Sequence, residues 1–470
     1  MSKRWTAFLL SLLLGATAWA APEHFQMRVV TSGLQGPHNM MRGPDGKLWL
    51  TELTGRRVLR VDPASGAVDA LAQVSDAVHT KNADGSEAQD GLLGLALDPA
   101  LMQGRGRDFV YVSLTVATPA GNRTVIRRYR YDGRALVDPL DVLQGLPSAL
   151  DHQSARLLFG PDGKLYYSIG DQGANQGVYR CVPNEAQVLP TAAEVAGSDW
   201  RHYKGKVLRI DLDGGIPADN PVLGGVRSHV WAWGIRNTQG MAFGPGQRLY
   251  ATDHGPNSDD EVNLIEAGRN YGWPNVAGYR DDSGYRYAAY AQAPNCEQLK
   301  DPARNGLVTP PGVPVYDESS FDDPAFTPPL TTFYTVGNDF DFQDPKCAPD
   351  LYFICWPTVA PSSVTYYEGG PGGLPGWGRS LLVTTLKKGE VLQLRLDATG
   401  TRVIGKPKAL LRTQNRYRDL VVDPDRRTLY VATDPSGLAS TDDGAPTKTL
   451  ANPGAILAFT YKPSLTPRPR

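Results

Sequence analysis

The stretch GPDGKLYYSIGD, residues 160–171, contains the pattern that decides the fold. A Gly-Pro-Asp-Gly turn leads into an alternating run from Leu165 to Ile169, the pattern of a half-buried β-strand. The strand is followed by an acid, Asp171. Because the same combination of turn and strand returns along the chain, the stretch marks one copy of a structural repeat.

Six copies of the repeat can be recognised, each with a turn followed by an apolar strand opening. They lie at residues 43–49, 98–111, 160–166, 244–250, 378–382 (a weaker copy) and 423–430. Further β-rich runs lie between them, at residues 57–61, 124–129, 206–210, 391–396 and 455–460. Short strands grouped in repeats of this size are typical of propeller blades. The sequence therefore predicts an all-β fold, a six-bladed β-propeller of four-stranded antiparallel sheets.

The repeats also indicate how the chain is organised. A blade buries its faces only against its neighbours, and closing the ring removes exposed sheet edges. We therefore expect residues 21–470 to form a single catalytic propeller domain. The spacing widens between Tyr250 and Leu381, where a long insertion lies. Such insertions are usually functional or disordered, and the density of aromatic residues in this one favours order.

The first twenty residues have the features of a secretory signal peptide. Lys3 and Arg4 precede a short apolar run that ends at Leu14, and an Ala-Trp-Ala sequence at residues 18–20 provides a cleavage site. The apolar run is too short to span a bilayer, and no later segment is long enough. We expect cleavage after Ala20 and a soluble periplasmic or secreted protein without membrane insertion.

Charge and cysteine content restrict the partners and the compartment. The chain has 48 Lys and Arg against 49 Asp and Glu, so no global charge points to nucleic acid or to an anionic membrane. We expect a small-molecule partner. None of the four cysteines shows zinc-type spacing. Cys347 and Cys355 are predicted to close a small disulfide loop in an oxidising compartment, whereas the pairing of Cys181 with Cys296 is left open.

An acid and a histidine stand just before the repeat quoted above. His152 directly follows Asp151, and the strand would return Asp171 towards it if the preceding chain starts at the same rim. A carboxylate beside an imidazole fixes its tautomer and raises its basicity, which suits a general base. On its own the pair would also describe a histidine that caps a loop, so the interpretation depends on the rest of the chain.

Long motifs elsewhere supply that context. They are DHQS (151–154), RN (236–237), GPNSDDE (255–261), NYGWPNVAGY (270–279), ICWPTVAPSS (354–363) and NRYRD (415–419). From about Gly36 to Tyr461 the chain resembles the soluble quinoprotein glucose dehydrogenases, propeller enzymes that use pyrroloquinoline quinone (PQQ) and calcium. The resemblance implies PQQ-dependent oxidation of the anomeric hydroxyl of glucose or related aldoses to the aldonolactone, with an external electron acceptor.

The resemblance also implies roles for individual residues. His152 would take the proton of the anomeric hydroxyl while hydride leaves C1, Asp171 would orient His152, and Arg236 would polarise the accepting carbonyl. The positions that match sugar contacts are Gln89, Asp151 and Gln176. The positions that match PQQ contacts are Arg236, Asn237, Thr358, Lys387, Arg416 and Arg418.

Calcium takes oxygen ligands, including backbone carbonyls. By resemblance, a catalytic calcium would be bound by the carbonyls of Gly255 and Pro256. A second, structural calcium region near a subunit contact is implied, and with it a homodimer. Its matching positions are Glu261, Tyr271, Ala277, Tyr279, Asp281 and Glu318.

Two positions depart from the pattern and leave the preferred sugar open. His254 stands where a glucose-oxidising member of the family carries glutamine, and Phe353 stands where it carries tyrosine. Two alternative functions compete with oxidation. A non-catalytic sugar- or calcium-binding propeller would not need the catalytic set of His152, Asp171 and Arg236. A calcium-dependent propeller lactonase would place acids and asparagines radially around its axis, and the sequence shows no such set.

Overall fold

The computed structural model describes residues 24–83, 85–347 and 349–462, in which the β-rich runs form six four-stranded antiparallel sheets. The innermost strands of successive sheets contact one another around a ring, from the first to the sixth and back to the first. The predicted six-bladed β-propeller is therefore confirmed. The signal peptide expected at residues 1–20 lies outside the described residues.

Each blade runs from an innermost strand at the axis to an outer strand at the rim. In blades 1 to 3 the strands are Pro37–Arg42, Leu48–Glu52, Arg57–Val61 and Val68–Gln73; Leu92–Leu97, Phe109–Thr118, Gly121–Tyr131 and Leu136–Pro147; Ser154–Phe159, Leu165–Ile169, Lys206–Ile210 and Val230–Trp233. In blades 4 to 6 they are Thr238–Phe243, Leu249–Asp253, Asp260–Ile265 and Thr331–Phe333; Pro361–Tyr367, Ser380–Thr385, Val391–Arg395 and Lys408–Leu410; Tyr417–Val422, Thr428–Thr433, Ile456–Tyr461 and Phe25–Thr31.

The sequence repeat corresponds to one position in each blade. All six copies lead into the second strand, and the five further runs form third strands. The sixth blade is completed by the strand Phe25–Thr31, which pairs with Ile456–Tyr461 and so closes the ring. The core lies between blades, where, for example, Trp49 of blade 1 packs in one cluster with Leu95 and Val112 of blade 2.

The connections contain short elements in addition to the blades. The α-helices of the described residues are Ala192–Ala196 and Tyr352–Cys355, and the 3₁₀ turns are Gly177–Tyr179, Arg201–Tyr203, Pro245–Gln247, Tyr290–Gln292, Cys296–Gln298, Glu318–Ser320 and Pro349–Leu351. The two-stranded hairpins pair Val222–Leu223 with Val226–Arg227, Tyr287–Ala288 with Val315–Tyr316, and Ala439–Ser440 with Pro446–Thr447. None of these helices has the length and apolarity that a bilayer crossing requires.

The long insertion is ordered and is tied to a neighbouring loop by a disulfide. Tyr271, Tyr285 and Tyr290 are buried within it, as its aromatic content predicted. The expected disulfide between Cys347 and Cys355 is present. The pairing that the sequence left open is also present, because Cys181, in the loop after the second strand of blade 3, bonds to Cys296 of the insertion.

All six innermost strands share a break in register near their first residues. The shifts lie between Pro37 and Met40, Leu92 and Leu95, Ser154 and Leu157, Thr238 and Gly240, Pro361 and Ser363, and Tyr417 and Asp419. A bulge re-aims the side chain of the residue that it leaves unpaired. In this ring the unpaired residues include Asn39, Arg156, Gln239 and Arg418, whose side chains bond to other blades.

Arg156 links four blades across the axis. Its guanidinium on blade 3 donates to Asp419 of blade 6 at 2.7 Å, and to the carbonyls of Gln239 on blade 4 and Ser362 on blade 5. The same Asp419 oxygen accepts from the main-chain N–H of Met40 on blade 1 at 2.8 Å. The axis is therefore cross-linked by a buried and charge-balanced pair.

Candidate active site

His152 and Asp171 meet at the axial end of blade 3. The antiparallel pairing of the first two strands places Ser154 opposite Ile169, so the residues just outside that pair face each other. The distance between His152 Nδ1 and Asp171 Oδ1 is 2.7 Å. Both side chains are buried, with exposed fractions of 7% and 0%. The strand thus returns the acid to the histidine, as expected from the sequence.

The carboxylate of Asp171 accepts four hydrogen bonds. Oδ1 accepts from His152 Nδ1 and Gly173 N, and Oδ2 accepts from Trp273 Nε1 at 2.7 Å and Asn184 Nδ2 at 2.9 Å. Burial alone would raise the pKa of Asp171, but the charge and hydrogen bond of His152 hold that pKa below its ordinary value. Nδ1 of His152 is therefore the donor, and Nε2 carries the lone pair of the neutral imidazole.

The backbone around His152 is held in an unusual conformation. His152, Ser154 and Ala155 have φ angles of 43°, 58° and 67°, a left-handed region that costs free energy for residues with a side chain. Gly170 lies against this turn, because a Cβ there would be 1.9 Å from the His152 carbonyl oxygen. The close approach explains why a glycine precedes Asp171.

The residues predicted to contact sugar lie around this pair. Gln89 Nε2 donates to Asp151 Oδ1 at 2.7 Å, and the main-chain N–H of His152 donates to the same oxygen at 2.9 Å. The Asp151 side chain is 46% exposed, so part of it remains open to a ligand. Gln176 Oε1 accepts from Arg236 Nη2 at 2.6 Å, which brings the third predicted sugar contact to the cofactor side.

Arg236 is buried and only partly satisfied. Its Nη1 donates to the His254 carbonyl at 3.2 Å, and its guanidinium lies 5.4 Å from the centroid of the Trp273 ring. Its Nε is buried and has no hydrogen-bond acceptor among the described residues. Asp253 holds the backbone in place by accepting from the N–H groups of Arg236 and Asn237.

Arg416 and Arg418 share one buried carboxylate. Asp434 accepts two hydrogen bonds from Arg418, both at 2.8 Å, and one from Arg416 Nε at 3.2 Å. Burial would raise the pKa of Asp434, but the two guanidinium groups hold it below its usual value. Two cations face one anion, so the pair carries a net positive charge inside the protein.

Lys387 and Thr358 lie together, as the resemblance implies. Lys387 Nζ donates to Thr358 Oγ1 at 2.7 Å and to the Trp356 carbonyl at 2.9 Å. Burial lowers the pKa of Lys387, which the charge of Asp260 opposes. A cavity of about 250 Å³ adjoins this point, and Thr358 is the only predicted cofactor residue on its wall. The cavity therefore adjoins Thr358 and is not the space between Arg416 and Arg418.

The Gly255-Pro256 turn presents its carbonyls without protein partners. Neither carbonyl oxygen accepts a hydrogen bond from the described residues. The turn is rigid, because Asp260 accepts from Gly255 N at 2.9 Å and from two N–H groups of blade 5. A Cβ on Gly255 would be 1.9 Å from the Ser258 carbonyl oxygen, so the turn has no room for a side chain there.

The second predicted calcium region is only partly assembled by side chains. Glu318 accepts from the N–H of Ala277 at 2.9 Å, and Glu261 accepts from Gly278 at 2.7 Å. Burial, together with nearby negative charge, raises the pKa of Glu318 to about 8. The Tyr271 hydroxyl donates to the Leu264 carbonyl oxygen instead. Within the described residues no three histidine, cysteine or acidic side chains converge as they would around a metal ion.

The structure also places Tyr279 and Asp281 of the second predicted calcium region. It places as well the two residues that depart from the family pattern, His254 and Phe353. Tyr279 is 37% exposed, and Asp281 contributes negative charge near Glu318. His254 Nε2 lies 3.1 Å from the Pro361 carbonyl, so it is the donor, and burial keeps the pKa of His254 well below its ordinary value. Phe353, in the helix Tyr352–Cys355, is 41% exposed.

Several residues of the site were not found from the sequence. They are Gln239, Asn184, Asp253, Asp260 and Asp434, each of which bonds to a residue that was predicted. Asp260 lies inside a quoted motif and could have been singled out there. The others have no local signal, because their partners are distant in sequence or are main-chain groups.

The chain matches characterised proteins along most of its length. The model of the glucose / sorbosone dehydrogenase family matches residues 34–327 and 337–440. Quinoprotein glucose dehydrogenase B of Acinetobacter calcoaceticus is 47% identical over 453 residues, covering 95% of this chain and 93% of that protein. Aldose sugar dehydrogenase YliI of Escherichia coli K12 is 26% identical, covering 92% of this chain and 96% of that protein.

The solved structures agree in fold. A PQQ-bound aldose sugar dehydrogenase from Streptomyces coelicolor aligns with a TM-score of 0.61 at 24% identity, covering 94% of this chain and 99% of that chain. These matches define the class, that of the propeller sugar dehydrogenases. More narrowly, the chain belongs to the glucose / sorbosone dehydrogenase family, because the family model matches most of it. The family and enzyme class predicted from the sequence are thereby confirmed.

Proposed function

We propose that the protein oxidises the anomeric hydroxyl of glucose or related aldoses to the aldonolactone, with PQQ and calcium bound. The observation that carries the proposal is the buried pair of His152 and Asp171, whose hydrogen bond leaves the lone pair of the neutral imidazole on Nε2. The names of the relatives support sugar oxidation and a quinone cofactor.

The residues present fit an anionic quinone. Arg416 and Arg418 share a single carboxylate, and Arg236 keeps a buried Nε without an acceptor. Guanidinium groups suit carboxylates because their donors are arranged in a fixed fork. We assign Arg416, Arg418, Lys387 and Thr358 to the carboxylates of PQQ, and Arg236 with Asn237 to its carbonyls.

Calcium also fits, on the donors that remain free. The carbonyls of Gly255 and Pro256 accept no hydrogen bond from the described residues, and calcium takes such oxygens as ligands. The buried carboxylates of Glu318 and Glu261 are held by the main-chain N–H groups of Ala277 and Gly278, which supports a second calcium there with Tyr271, Tyr279 and Asp281. When bound, PQQ supplies the acceptor for hydride from C1, and calcium supplies a Lewis acid.

Different residues of the chain then remove the proton and orient the sugar. His152 Nε2 removes the proton of the anomeric hydroxyl, and Asp171 fixes the tautomer and stabilises the imidazolium. Asp151, Gln89 and Gln176 orient the sugar hydroxyls, since carboxylates and amides pair well with them.

We propose for the whole protein the organisation that the sequence predicts. We propose that residues 21–470 act as one catalytic domain after export. The two disulfides support an oxidising compartment. We also propose homodimerisation through the second calcium region and reoxidation by an external acceptor.

The test is dye-linked sugar oxidation by purified apoprotein, with PQQ and calcium added separately and together. Activity only with both is the expected result. The ranking of glucose against other aldoses then reports the effect of His254 and Phe353. Tight PQQ binding without turnover of any aldose would overturn the substrate class, and failure to bind PQQ would leave a non-catalytic propeller or a lactonase.

A further inference from the structure

Gln239 lies between residues assigned to PQQ and residues assigned to the sugar. Neither the family resemblance nor the pair of His152 and Asp171 gives it a role. It lies on the innermost strand of blade 4, at the break in register between Thr238 and Gly240. Its side chain is 6% exposed. It bonds at once to Arg418 on the cofactor side, to Asn237, and to Gln89 on the sugar side.

The direction of these bonds is fixed by groups that cannot reverse. Arg418 Nη1 can only donate, so Gln239 turns Oε1 towards it at 3.1 Å. The Nε2 group of Gln239 must then face the other way, where it donates to Asn237 Oδ1 at 3.2 Å and to Gln89 Oε1 at 3.4 Å. The last contact is long, so it is the weakest link.

The orientation of Asn237 follows from the same logic. Its Oδ1 also accepts from the main-chain N–H of Ser154 at 3.2 Å, and a backbone N–H cannot accept. With Oδ1 fully used, the Nδ2 group is left as the donor, and it has no acceptor among the described residues. Asn237 therefore offers a hydrogen-bond donor to a ligand.

Gln89 is oriented from both ends. Its Oε1 accepts from Gln239, which leaves Nε2 to donate to Asp151 Oδ1 at 2.7 Å. Because that Asp151 oxygen also accepts from the main-chain N–H of His152, it is an acceptor in either orientation of the Gln89 amide. Reversing the Gln239 amide would place donor against donor at Arg418 and acceptor against acceptor at Asn237.

We propose that Gln239 is a positioning residue that joins the two halves of the site. Its amide reinforces the orientation in which Asn237 offers a donor to the cofactor, and it supports Gln89 on the sugar-binding carboxylate Asp151. The inference rests on the proposed function, because it names the ligands that the two halves bind.

The first test measures PQQ binding by the apoprotein, through quenching of tryptophan fluorescence. Gln239→Glu keeps an acceptor for Arg418 but replaces the donor that faces Asn237. We expect the Kd for PQQ to rise about 10-fold or more, since a lost donor is replaced by repulsion between acceptors. Gln393→Glu is the matched control, because Gln393 is also 6% exposed and bonds to Trp377 and Ser380 in blade 5.

The second test is a double-mutant cycle on the KM for glucose of the PQQ-loaded enzyme. Gln239→Met should raise KM about 5-fold, as expected for one neutral hydrogen bond, and Gln89→Met should raise it further, because that change also removes the donor to Asp151 Oδ1. If Gln239 acts on the sugar through Gln89, the KM of the double variant should equal that of Gln89→Met and not exceed it about 5-fold. Urea midpoints, measured in parallel, separate this from a loss of stability, which would not produce coupling in KM.

The outcomes distinguish the inference from the function on which it rests. Wild-type apoprotein that does not quench with PQQ would overturn both. Equal Kd values for the wild type and Gln239→Glu, or a KM of the double variant about 5-fold above that of Gln89→Met, would overturn the role of Gln239 alone. A 10-fold rise in Kd for the Gln393→Glu control would also overturn it, because the effect would then belong to any buried glutamine.

Discussion

Replacing Asp171 with asparagine changes almost no volume but removes one acceptor from a site that needs four. The carboxylate receives donors from His152, Gly173, Asn184 and Trp273. The Gly173 N–H and the Trp273 Nε1–H can only donate, and they contact different oxygens. Whichever way the new amide turns, one of these two buried donors loses its acceptor.

The expected loss of kcat follows from the two possible orientations of the new amide. If the amide NH₂ faces His152, the imidazole must accept at Nδ1, which puts the proton on Nε2 and removes the base; an incorrect tautomer of this kind costs about 10⁴ in rate in a Ser-His-Asp enzyme. If the oxygen faces His152, the tautomer survives but the charge that stabilises the imidazolium is lost, about 1.5–3 kcal/mol or roughly 10- to 150-fold. We therefore expect kcat of Asp171→Asn to fall by about 10- to 10⁴-fold, depending on the orientation of the amide.

The assay is kcat for glucose at saturating PQQ and calcium, with the Kd for PQQ measured separately. That Kd should stay within about 3-fold, because Asp171 contacts no residue assigned to PQQ carboxylates. Asn184→Leu is the control, since it removes one donor and keeps the carboxylate, and it should cost less than 10-fold. A loss below 10-fold for Asp171→Asn at full PQQ occupancy would refute the reasoning about the tautomer.

Three further predictions concern charge. Arg156→Met should lower the free energy of unfolding in urea by about 3–5 kcal/mol, because Asp419 is left buried and unpaired, whereas loss of the exposed Arg130 pair should cost less than about 1 kcal/mol. Asp434→Asn should weaken PQQ binding about 10-fold, since both arginines lose their anchor; tighter binding would mean that net charge outweighs orientation. The pKa values of Asp171 and Asp434 are lowered by folding, so their stabilisation is present above about pH 4 and the Tm should fall as pH drops below that value.

The fold could be predicted from the sequence because its signal is local and repeated. Every copy of the turn and strand supplies a second strand, so a weak copy such as residues 378–382 is supported by the others. The strand Phe25–Thr31 was not predicted, because its place in blade 6 depends on meeting a strand more than 400 residues away. The same reason applies to Cys181 and Cys296, which are 115 residues apart in sequence.

The breaks in register were also beyond the sequence pattern. Strict alternation predicts which face of a strand is buried, but a bulge changes that assignment from its position onward. Gln239 and Arg418 stand at such bulges, and their mutual bond spans 179 positions. The residues expected from motifs were therefore located, while the groups that orient them required the three-dimensional structure.

The charge balance of the candidate site differs from that of the axis beside it. The axial ion pair matches its charges one to one, whereas Arg416 and Arg418 share Asp434, and Arg236 keeps a buried Nε without an acceptor. Burial also lowers the pKa of Lys387, which means that its charged form is disfavoured where it stands. Each of these features costs free energy in the protein alone. An anion that accepted hydrogen bonds from these groups would recover that free energy on binding, and this supports the anionic cofactor proposed above.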